Sequence, residues 1–381
     1  MGLKKLIKGA LVQFSRLSCP RNVIVLESTP DFSDNTFAVY QELLRQGYGE
    51  CYTLVWSCGK KRKLKDAPAC VRYIYPMDRS LWQRLRNFAY LSAAKCLICC
   101  NRYLVPKRAG QTAFYLTHGS PLKSVCGYNP MPEQIHYCLS ASKGMEDVTA
   151  RELMVEPSKM FSLGYPRNDV LTQPPIPIRE ILDTQCKKVI VWYPTFRQHQ
   201  NGAKISAGNA LPIIHDADAA QALNDWAKQM DVLLVMKPHF AQDLRYIKDL
   251  GLSNIRFIDD AFFREHGITS YAFVAGCDAL LTDYSSIYFD YLLCDKPVGL
   301  IWEDIDEYRQ NPGFALDIDA FGQGAVKIYT LSEFKQFIRD VAEGIDSCCD
   351  RRQVLCDLVN HSRDGKNAQR VVQFIAQKAR L

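Results

Sequence analysis

The chain has 381 residues, of which 48% are hydrophobic and 23% are charged. A chain of this size and composition can bury a large core, and its length favours two domains over one. No apolar run in the sequence approaches the length that a membrane-spanning helix needs. We therefore expect a soluble, globular protein, and an integral helical membrane protein is excluded.

The charge is distributed unevenly along the chain. The formal net charge is +6, but residues 1–108 contain 19 Lys and Arg against 7 Asp and Glu, which gives +12. The remaining 28 Lys and Arg against 34 Asp and Glu give −6. This asymmetry predicts an anionic partner on the N-terminal side, and nucleic acid, anionic lipid and a polyanionic polymer all fit it equally well.

The first predicted element is a basic amphipathic helix over residues 1–20. Its apolar side chains share one helical face, and its basic side chains lie mostly elsewhere: Leu3, Leu6, Ile7, Ala10, Leu11, Phe14 and Leu17, against Lys4, Lys5, Lys8 and Arg16. Such a helix either lies in a membrane interface or docks on the protein's own core, and the pattern favours neither placement.

Two further regions alternate short β-branched runs with amphipathic stretches. The first covers residues 21–175, and the second covers residues 179–345, after a proline-rich boundary at 172–178. A C-terminal helical segment is predicted over 350–381. This alternation is typical of parallel sheets, so we predict an α/β protein with two doubly wound Rossmann-like domains that face each other across a central cleft.

The 15 cysteines are scattered among apolar stretches, which suits a reducing cytosol. Cys96 and Cys99 have the spacing of a redox or metal pair, but they lie inside an apolar run with no second pair and no nearby histidine cluster. We interpret this run as a buried strand and predict no metal site.

The strongest local motif is Leu280–Asp290, an apolar strand that ends in hydroxyl and acidic residues and leads directly into a helix. A helix N-terminus offers backbone N–H groups and a positive dipole end, so Ser285 and Ser286 could hold a phosphate there. Ordinary helix capping by Ser or Asp is the alternative. Asp283 and Asp290 are not spaced like a pair of metal ligands.

Two histidines, His118 and His239, each follow an apolar strand. Side chains at the carboxyl ends of parallel strands point into the ligand crevice, where a histidine can transfer a proton or stabilise phosphate charge. Arg197 also follows a strand, and Lys123 and Lys237 accompany the two histidines. Converging cations suit a diphosphate ligand, although each of these residues alone could be structural or a surface charge.

Taken together, these motifs resemble the CDP-glycerol glycerophosphotransferase family, the teichoic acid primases and polymerases. Five segments match the family pattern in the family's order: His118–Lys123, Gly164–Asp169, Tyr193–Arg197, Lys237–His239 and Thr282–Asp290. The resemblance also covers Glu27–Asn35 and the Asp364-Gly-Lys segment. Thr117 stands where the family commonly has Trp, and Ser120 replaces Thr, which leaves acceptor choice and polymer length open.

The resemblance implies a GT-B-like architecture with CDP-glycerol bound mainly by the C-terminal domain and the acceptor approaching from the N-terminal one. It makes His118 the general base and implies that His239 binds the diphosphate and stabilises the leaving CMP. It adds a set of donor-binding residues, namely Arg197, Lys237, Thr282, Asp283, Ser285, Ser286 and Asp290. The other motif positions are Gly119, Lys123, Arg167, Asp169, Tyr193 and Thr195.

The residues require no metal, and we predict no cofactor. The resemblance places the enzyme peripherally at the cytoplasmic face of the cell membrane. The acceptor would be a polyol-phosphate or lipid-linked glycan polymer of teichoic acid or capsule. Three alternatives stay open at this point: a CDP-ribitol donor, a GT-B glycosyltransferase that uses a nucleotide sugar, and a catalytically silent protein that binds membrane or polymer. Nucleic acid binding rests on charge alone and is not predicted.

Overall fold

The computed structural model describes residues 21–195, 211–238 and 244–381, with the backbone alone at 245 and 246. The predicted N-terminal helix over 1–20 lies outside the described residues. The chain divides into two compact units. Unit 1 contains the residues up to Ser120, Gly127–Asp169 and Asp364–Leu381, and unit 2 contains Pro121–Cys126 and Val170–Arg363.

Unit 1 is built on a sheet of seven parallel strands in the order β3-β2-β1-β4-β5-β6-β7. The strands are β1 Val23–Glu27, β2 Thr53–Ser57, β3 Val71–Ile74, β4 Cys96–Cys99, β5 Thr112–Tyr115, β6 Tyr137–Ser140 and β7 Met160–Ser162. The helices between them are α1 Asp34–Arg45, α2 Tyr48–Cys51, α3 Leu81–Ala93 and α4 Glu146–Leu153. The predicted buried strand at Cys96 and Cys99 is therefore confirmed as β4.

Unit 2 is built on six parallel strands in the order β10-β9-β8-β11-β12-β13. These are β8 Lys188–Trp192, β9 Val232–Met236, β10 Ile255–Phe257, β11 Ala279–Thr282, β12 Val298–Ile301 and β13 Val326–Ile328. The helices are α5 Ile178–Ile181, α6 Ala217–Gln229, α7 Arg245–Lys248, α8 Asp260–Glu265, α9 Ser270–Gly276, α10 Ile287–Tyr291, α11 Ile305–Gln310, α12 Ile318–Phe321, α13 Leu331–Glu343 and α14 Cys349–Val359.

The last helix, α15 at Asn367–Ala379, returns to unit 1. Its apolar residues Val371, Val372 and Ile375 join Ile24 and Leu26 of β1 in one buried cluster. The helical segment predicted over 350–381 is divided between the two units, with the residues up to Arg363 in unit 2 and the remainder in unit 1. This division agrees with the packing of α15, whose apolar residues join the buried cluster of the unit 1 sheet.

Both sheets have apolar side chains on their two faces. In β1, Ile24 and Leu26 contribute to one buried cluster, and Val23 and Val25 contribute to another. Parallel strands covered on both faces have apolar side chains at successive positions rather than at alternate ones. The doubly wound α/β prediction is confirmed for each unit.

The strand order reverses between β1 and β4 in unit 1, and between β8 and β11 in unit 2. In open α/β sheets, ligands bind outside the carboxyl ends of the strands at such a reversal. The loops at the carboxyl ends of these four strands and of their neighbours in the sheets are therefore the places to look for functional residues.

Candidate active site

In unit 2, the loops that follow β8, β9 and β11 are joined by backbone hydrogen bonds. The N–H of Tyr193 donates to the Leu281 carbonyl at 2.9 Å, and the N–H of Lys237 donates to the Trp192 carbonyl at 2.9 Å. The hydroxyl of Thr282 donates to the Tyr193 carbonyl at 2.8 Å. The ends of β8, β9 and β11 are thus joined to one another beside the reversal point.

A buried carboxylate forms further hydrogen bonds between the loops after β8 and β11. Asp283 is fully buried, and its two oxygens accept the backbone N–H of Thr195 at 3.0 and 2.9 Å. The Thr195 hydroxyl and the backbone N–H of Tyr284 also donate to Asp283. The Asp283 carboxylate accepts hydrogen bonds from donors of the protein itself, so these contacts indicate that Asp283 positions the loop after β8.

Tyr193 and Lys237 lie side by side at the ends of β8 and β9. The Lys237 ammonium lies 5.8 Å from the centre of the Tyr193 ring and 3.1 Å from an Asp260 carboxylate oxygen. Burial raises the pKa of Tyr193 well above its ordinary value, so its phenol stays protonated. Arg197 and His239, predicted to contact the diphosphate, are outside the described part of the chain.

The predicted phosphate-binding hydroxyls lie at the start of α10. Ser285 and Ser286 are both half-buried, and the backbone N–H of Ile287 contacts the Ser285 hydroxyl oxygen at a long 3.5 Å. Ser286 occupies the N-cap position without a side-chain cap bond among the described residues. The Asp290 carboxylate is buried in this helix, where it accepts the Tyr271 hydroxyl at 2.6 Å.

In unit 1, His118 lies in the loop after β5 and is exposed. The residues on either side of it have positive backbone angles, with φ of 51° at Thr117 and 148° at Gly119. The Thr117 hydroxyl donates to the Leu139 carbonyl at 3.2 Å. A left-handed Thr is an unfavourable conformation that the surrounding bonds must hold in place.

Arg167 holds the His118 loop. Its Nη1 donates to the His118 carbonyl at 2.8 Å and to an Asp34 carboxylate oxygen at 2.6 Å. The Arg167 side chain is 8% exposed. Through these two contacts, this predicted motif residue ties the loop after β5 to the start of α1.

Asn35 reinforces the same connection and was not identified from the sequence as a site residue. It is fully buried, and its Nδ2 donates to the Leu116 and Thr117 carbonyls at 3.0 and 3.1 Å. Its Oδ1 accepts the backbone N–H of Arg167 at 3.2 Å. One amide therefore joins the strand that leads to His118 to the loop that carries Arg167, and the family resemblance over Glu27–Asn35 was its only signal.

Asp169 has a different structural role. Its carboxylate accepts the backbone N–H groups of Asn367 and Ala368, both at 2.8 Å, at the start of α15. Burial raises the pKa of Asp169 to about 6, although these N–H donors and Arg370 favour the charged form. The Gly164–Asp169 motif therefore serves the fold at its acidic end and the His118 loop at Arg167.

Lys123 does not share a unit with His118, although only five positions separate them along the chain. Residues 121–126 pack in unit 2, where Lys123 forms an antiparallel bridge with Phe314. The neighbouring backbone bonds join Ala315 to Leu122 at 3.0 Å and Ser124 to Gly313 at 3.0 Å.

The reversal point of unit 1 also carries a buried carboxylate. Glu27, at the end of β1, is 1% exposed and accepts the backbone N–H groups of Asn101 and Arg102, which follow β4, at 3.2 and 2.9 Å. The Arg102 guanidinium pairs with the same side chain at 3.0 Å. Each unit thus fixes a loop at its reversal point with an acidic side chain. In the sequence, the sign of this feature is an acidic residue at the end of an apolar run, Glu27 in unit 1 and Asp283 in unit 2.

Residues 10–377 match the model of the CDP-Glycerol:Poly(glycerophosphate) glycerophosphotransferase family. The chain belongs to this family. The predicted reaction class is therefore confirmed: the protein is a transferase that moves glycerol phosphate from CDP-glycerol to a growing polymer. Among the described residues, no helix is both long enough and apolar enough to cross a membrane.

Curated relatives agree with this assignment. The chain is 25% identical over 340 residues to a teichoic acid poly(glycerol phosphate) polymerase of Bacillus spizizenii, with 80% of each chain covered. It is 24% identical to a teichoic acid glycerol-phosphate transferase of Staphylococcus aureus, with 98% of each chain covered. This chain shares its fold with a solved structure of the wall teichoic acid polymerase TagF. The TM-score is 0.72 and the identity is 19%, and the match covers 99% of this chain and 96% of that one.

Proposed function

We propose that this glycerophosphotransferase transfers glycerol phosphate to a hydroxyl of a polyol-phosphate or lipid-linked acceptor, with His118 as the general base, at the cytoplasmic face of the cell membrane. The observation that carries the proposal is the position of His118. Its imidazole is exposed, while the backbone around it is fixed by Arg167, Asp34 and Asn35. A fixed backbone with an exposed imidazole is the arrangement that proton transfer from a bound hydroxyl requires.

The proposed step is a displacement at phosphorus. His118 takes the proton of the acceptor hydroxyl, and the oxygen attacks the β-phosphorus, which carries the glycerol. The bond from this phosphorus to the bridging oxygen breaks, and CMP leaves with the bonding electrons. Such a reaction depends on positioning and on charge neutralisation more than on covalent catalysis.

Donor binding is assigned to unit 2. Arg197, His239 and Lys237 would supply positive charge, and Ser285 and Ser286 would supply hydroxyl and backbone donors to the diphosphate. Thr282, Asp283 and Asp290 would act indirectly, because their described partners are groups of the protein itself. Their role would be to hold the loops that present the binding residues.

The membrane location rests on charge. The net charge of +12 over residues 1–108 favours an anionic surface, and a lipid-linked acceptor would bring the enzyme to one.

A matched pair of histidine variants tests the catalytic assignment. His118→Ala should lower acceptor-dependent CMP release by about 10²- to 10⁴-fold.

His266→Ala is the control, because His266 is also exposed and its Nδ1 contacts a helix carbonyl, that of Phe262, at 2.8 Å. This variant should release CMP at the rate of the wild type. Both variants should remain folded in thermal unfolding and should still be stabilised by CDP-glycerol. A folded His118→Ala protein that works at the normal rate would show that His118 is not the base.

A further inference from the structure

The segment that follows β1 in unit 1 holds two loops at the carboxyl edge of the sheet. Asn35 donates to two backbone carbonyls of the strand end that leads to His118, after β5. Glu27 accepts the backbone N–H groups of Asn101 and Arg102, after β4. Since β4 and β5 are parallel neighbours, the His118 loop and the Arg102 loop lie beside each other at this edge.

The Arg102 side chain is held on one side by the protein. Its Nε donates to a Glu27 carboxylate oxygen at 3.0 Å, and its Nη2 donates to the Ser57 carbonyl at 3.0 Å. The side chain is 38% exposed, and Nη1 has no hydrogen-bond partner among the residues that the structure describes. Because the Arg102 backbone already ties the loop to Glu27, the guanidinium is not needed for that connection.

The surroundings of Arg102 favour an anion. The Glu27 carboxylate is 1% exposed, so it is not available to a ligand. Asp31 accepts the backbone N–H groups of Gly59 and Lys60 at 2.7 and 3.1 Å, which joins the loop after β2 to the loop after β1. The Lys60 side chain is exposed, and three more exposed basic residues follow it directly. The reversal point of unit 1 therefore combines a fixed guanidinium with further cations.

We propose that Arg102 binds a phosphodiester of the acceptor polymer, next to the terminal hydroxyl that His118 deprotonates. In poly(glycerol phosphate), one glycerol unit separates the terminal hydroxyl from the nearest phosphodiester. Neighbouring strands lie about 4.8 Å apart, so loops at their ends can hold a hydroxyl and a phosphate of the same short unit. A guanidinium with N–H groups left over donates charge-assisted hydrogen bonds to phosphate oxygens.

This site makes the enzyme select an acceptor that already carries phosphodiesters over a neutral glycan. The inference rests on the proposed function, since it adds a specificity residue to the acceptor side of the same reaction. It also gives a role to the Glu27–Asn35 resemblance, because this one segment positions both His118 and Arg102.

Binding of a soluble poly(glycerol phosphate) oligomer to the full chain, measured by calorimetry without CDP-glycerol, tests the proposal. The wild type should bind the oligomer, and more weakly at high salt. Arg102→Gln should raise the Kd for the oligomer at least about tenfold and should make binding less dependent on salt. Its Kd for CDP-glycerol should stay that of the wild type, because the donor is assigned to unit 2.

Arg179→Gln is the matched control. Arg179 is 42% exposed, and it also donates to a carboxylate, that of Asp278 at 2.7 Å, and to a backbone carbonyl, that of Lys187 at 2.8 Å. It belongs to unit 2, where Asp278 precedes β11 rather than following it. This variant should bind the oligomer with the Kd of the wild type.

A second variant guards against a loss of folding. Arg102→Gln leaves the buried Glu27 carboxylate without its cation, whereas Glu27→Gln/Arg102→Gln removes both charges together. Both variants should bind the oligomer weakly, and thermal unfolding shows which of them are folded. In the CMP assay, the KM for the oligomer should rise, while kcat at saturating oligomer should change little.

Four results would overturn the proposal. They are a wild type that does not bind the oligomer, a folded Arg102 variant that binds it with the wild-type Kd, binding of oligomer and CDP-glycerol that weakens together, and an equal loss in Arg179→Gln. The last two would indicate a structural or a general electrostatic effect. These binding measurements need no transfer reaction, so an active His118→Ala protein would refute the catalytic assignment without changing the outcome for Arg102.

Discussion

Asp283 accepts the backbone N–H of Thr195 with both carboxylate oxygens, at 3.0 and 2.9 Å, across the reversal point of the unit 2 sheet. The contact joins the loop after β11 to the loop after β8. Two residues beyond Thr195 comes Arg197, one of the proposed diphosphate ligands. Fixing this backbone therefore sets where the donor-binding loop begins.

The first prediction concerns the hydroxyl of Thr195, which also donates to Asp283. Thr195→Val removes this donor while it keeps the shape, and Thr195→Ser keeps the donor. We expect the Val variant to lose about 1–3 kcal/mol of unfolding free energy and at least about tenfold in CMP release. The Ser variant should stay close to the wild type. Equal behaviour of the two variants in denaturant unfolding and in the CMP assay would deny the hydroxyl any role.

The second prediction concerns Asn35 as a positioning residue for His118. Asn35→Ala should lower kcat at least about tenfold while it changes KM for CDP-glycerol little, because the His118 loop loses its amide bridge. Asn87→Ala is the control, since Asn87 is also buried and also bridges backbone groups, but at Tyr75. Both variants should lose comparable unfolding free energy. Should kcat fall equally in both with a soluble acceptor, the effect would be one of stability alone.

The third prediction concerns Gly164, whose φ is 80°. A Cβ at this position would lie 2.2 Å from the Asn367 amide oxygen, so Gly164→Ala should displace the start of α15 and cost several kcal/mol of stability. Gly127→Ala is the matched control, with a φ of 76° and no atom within 4 Å of the added Cβ. It should cost only about 1–2 kcal/mol. Equal losses in thermal unfolding would mean that backbone strain, rather than the contact with Asn367, explains the glycine.

The fourth prediction concerns pH and Asp169. Burial raises the pKa of this carboxyl to about 6 from an ordinary value of 3.8, so the folded state holds the proton more tightly than the unfolded chain. The stability that Asp169 contributes is then complete below the ordinary value, and it is lost as the pH rises through about 6.

Asp169→Asn cannot titrate, which makes it the reference for this effect. The unfolding free energy of the wild type relative to Asp169→Asn should fall by about 1–3 kcal/mol between roughly pH 4.5 and pH 7. Other carboxyl groups titrate alike in the two proteins, so their effects cancel in the difference. A difference that stays constant with pH would refute the raised pKa.

Much of the fold could be predicted from the sequence because the strands are buried on both faces. The alternation predicted over residues 179–345 is present in the structure, where β8, β9, β11 and β12 are short and almost entirely buried runs. A central parallel strand shows itself as a continuous apolar run, and its helices show the spacing of an apolar face. These signals are local, so one sequence contains them in full.

The tertiary partners of the site residues could not be predicted in this way. Arg167 was expected only as a motif residue, and its bond to the His118 carbonyl depends on how two loops meet in space. Asp169 caps a helix that begins 198 residues later along the chain. Such contacts leave no periodic pattern in the sequence, and the same holds for the return of α15 to unit 1.

The most direct test of the central claim is CMP release by the purified protein from CDP-glycerol and, in parallel, from CDP-ribitol, with and without an oligomeric polyol-phosphate acceptor. We predict release from CDP-glycerol that depends on the acceptor and that clearly exceeds release from CDP-ribitol. If the folded protein releases CMP from CDP-ribitol alone, or from neither donor with several acceptors present, the assignment of glycerol phosphate transfer to this chain is contradicted.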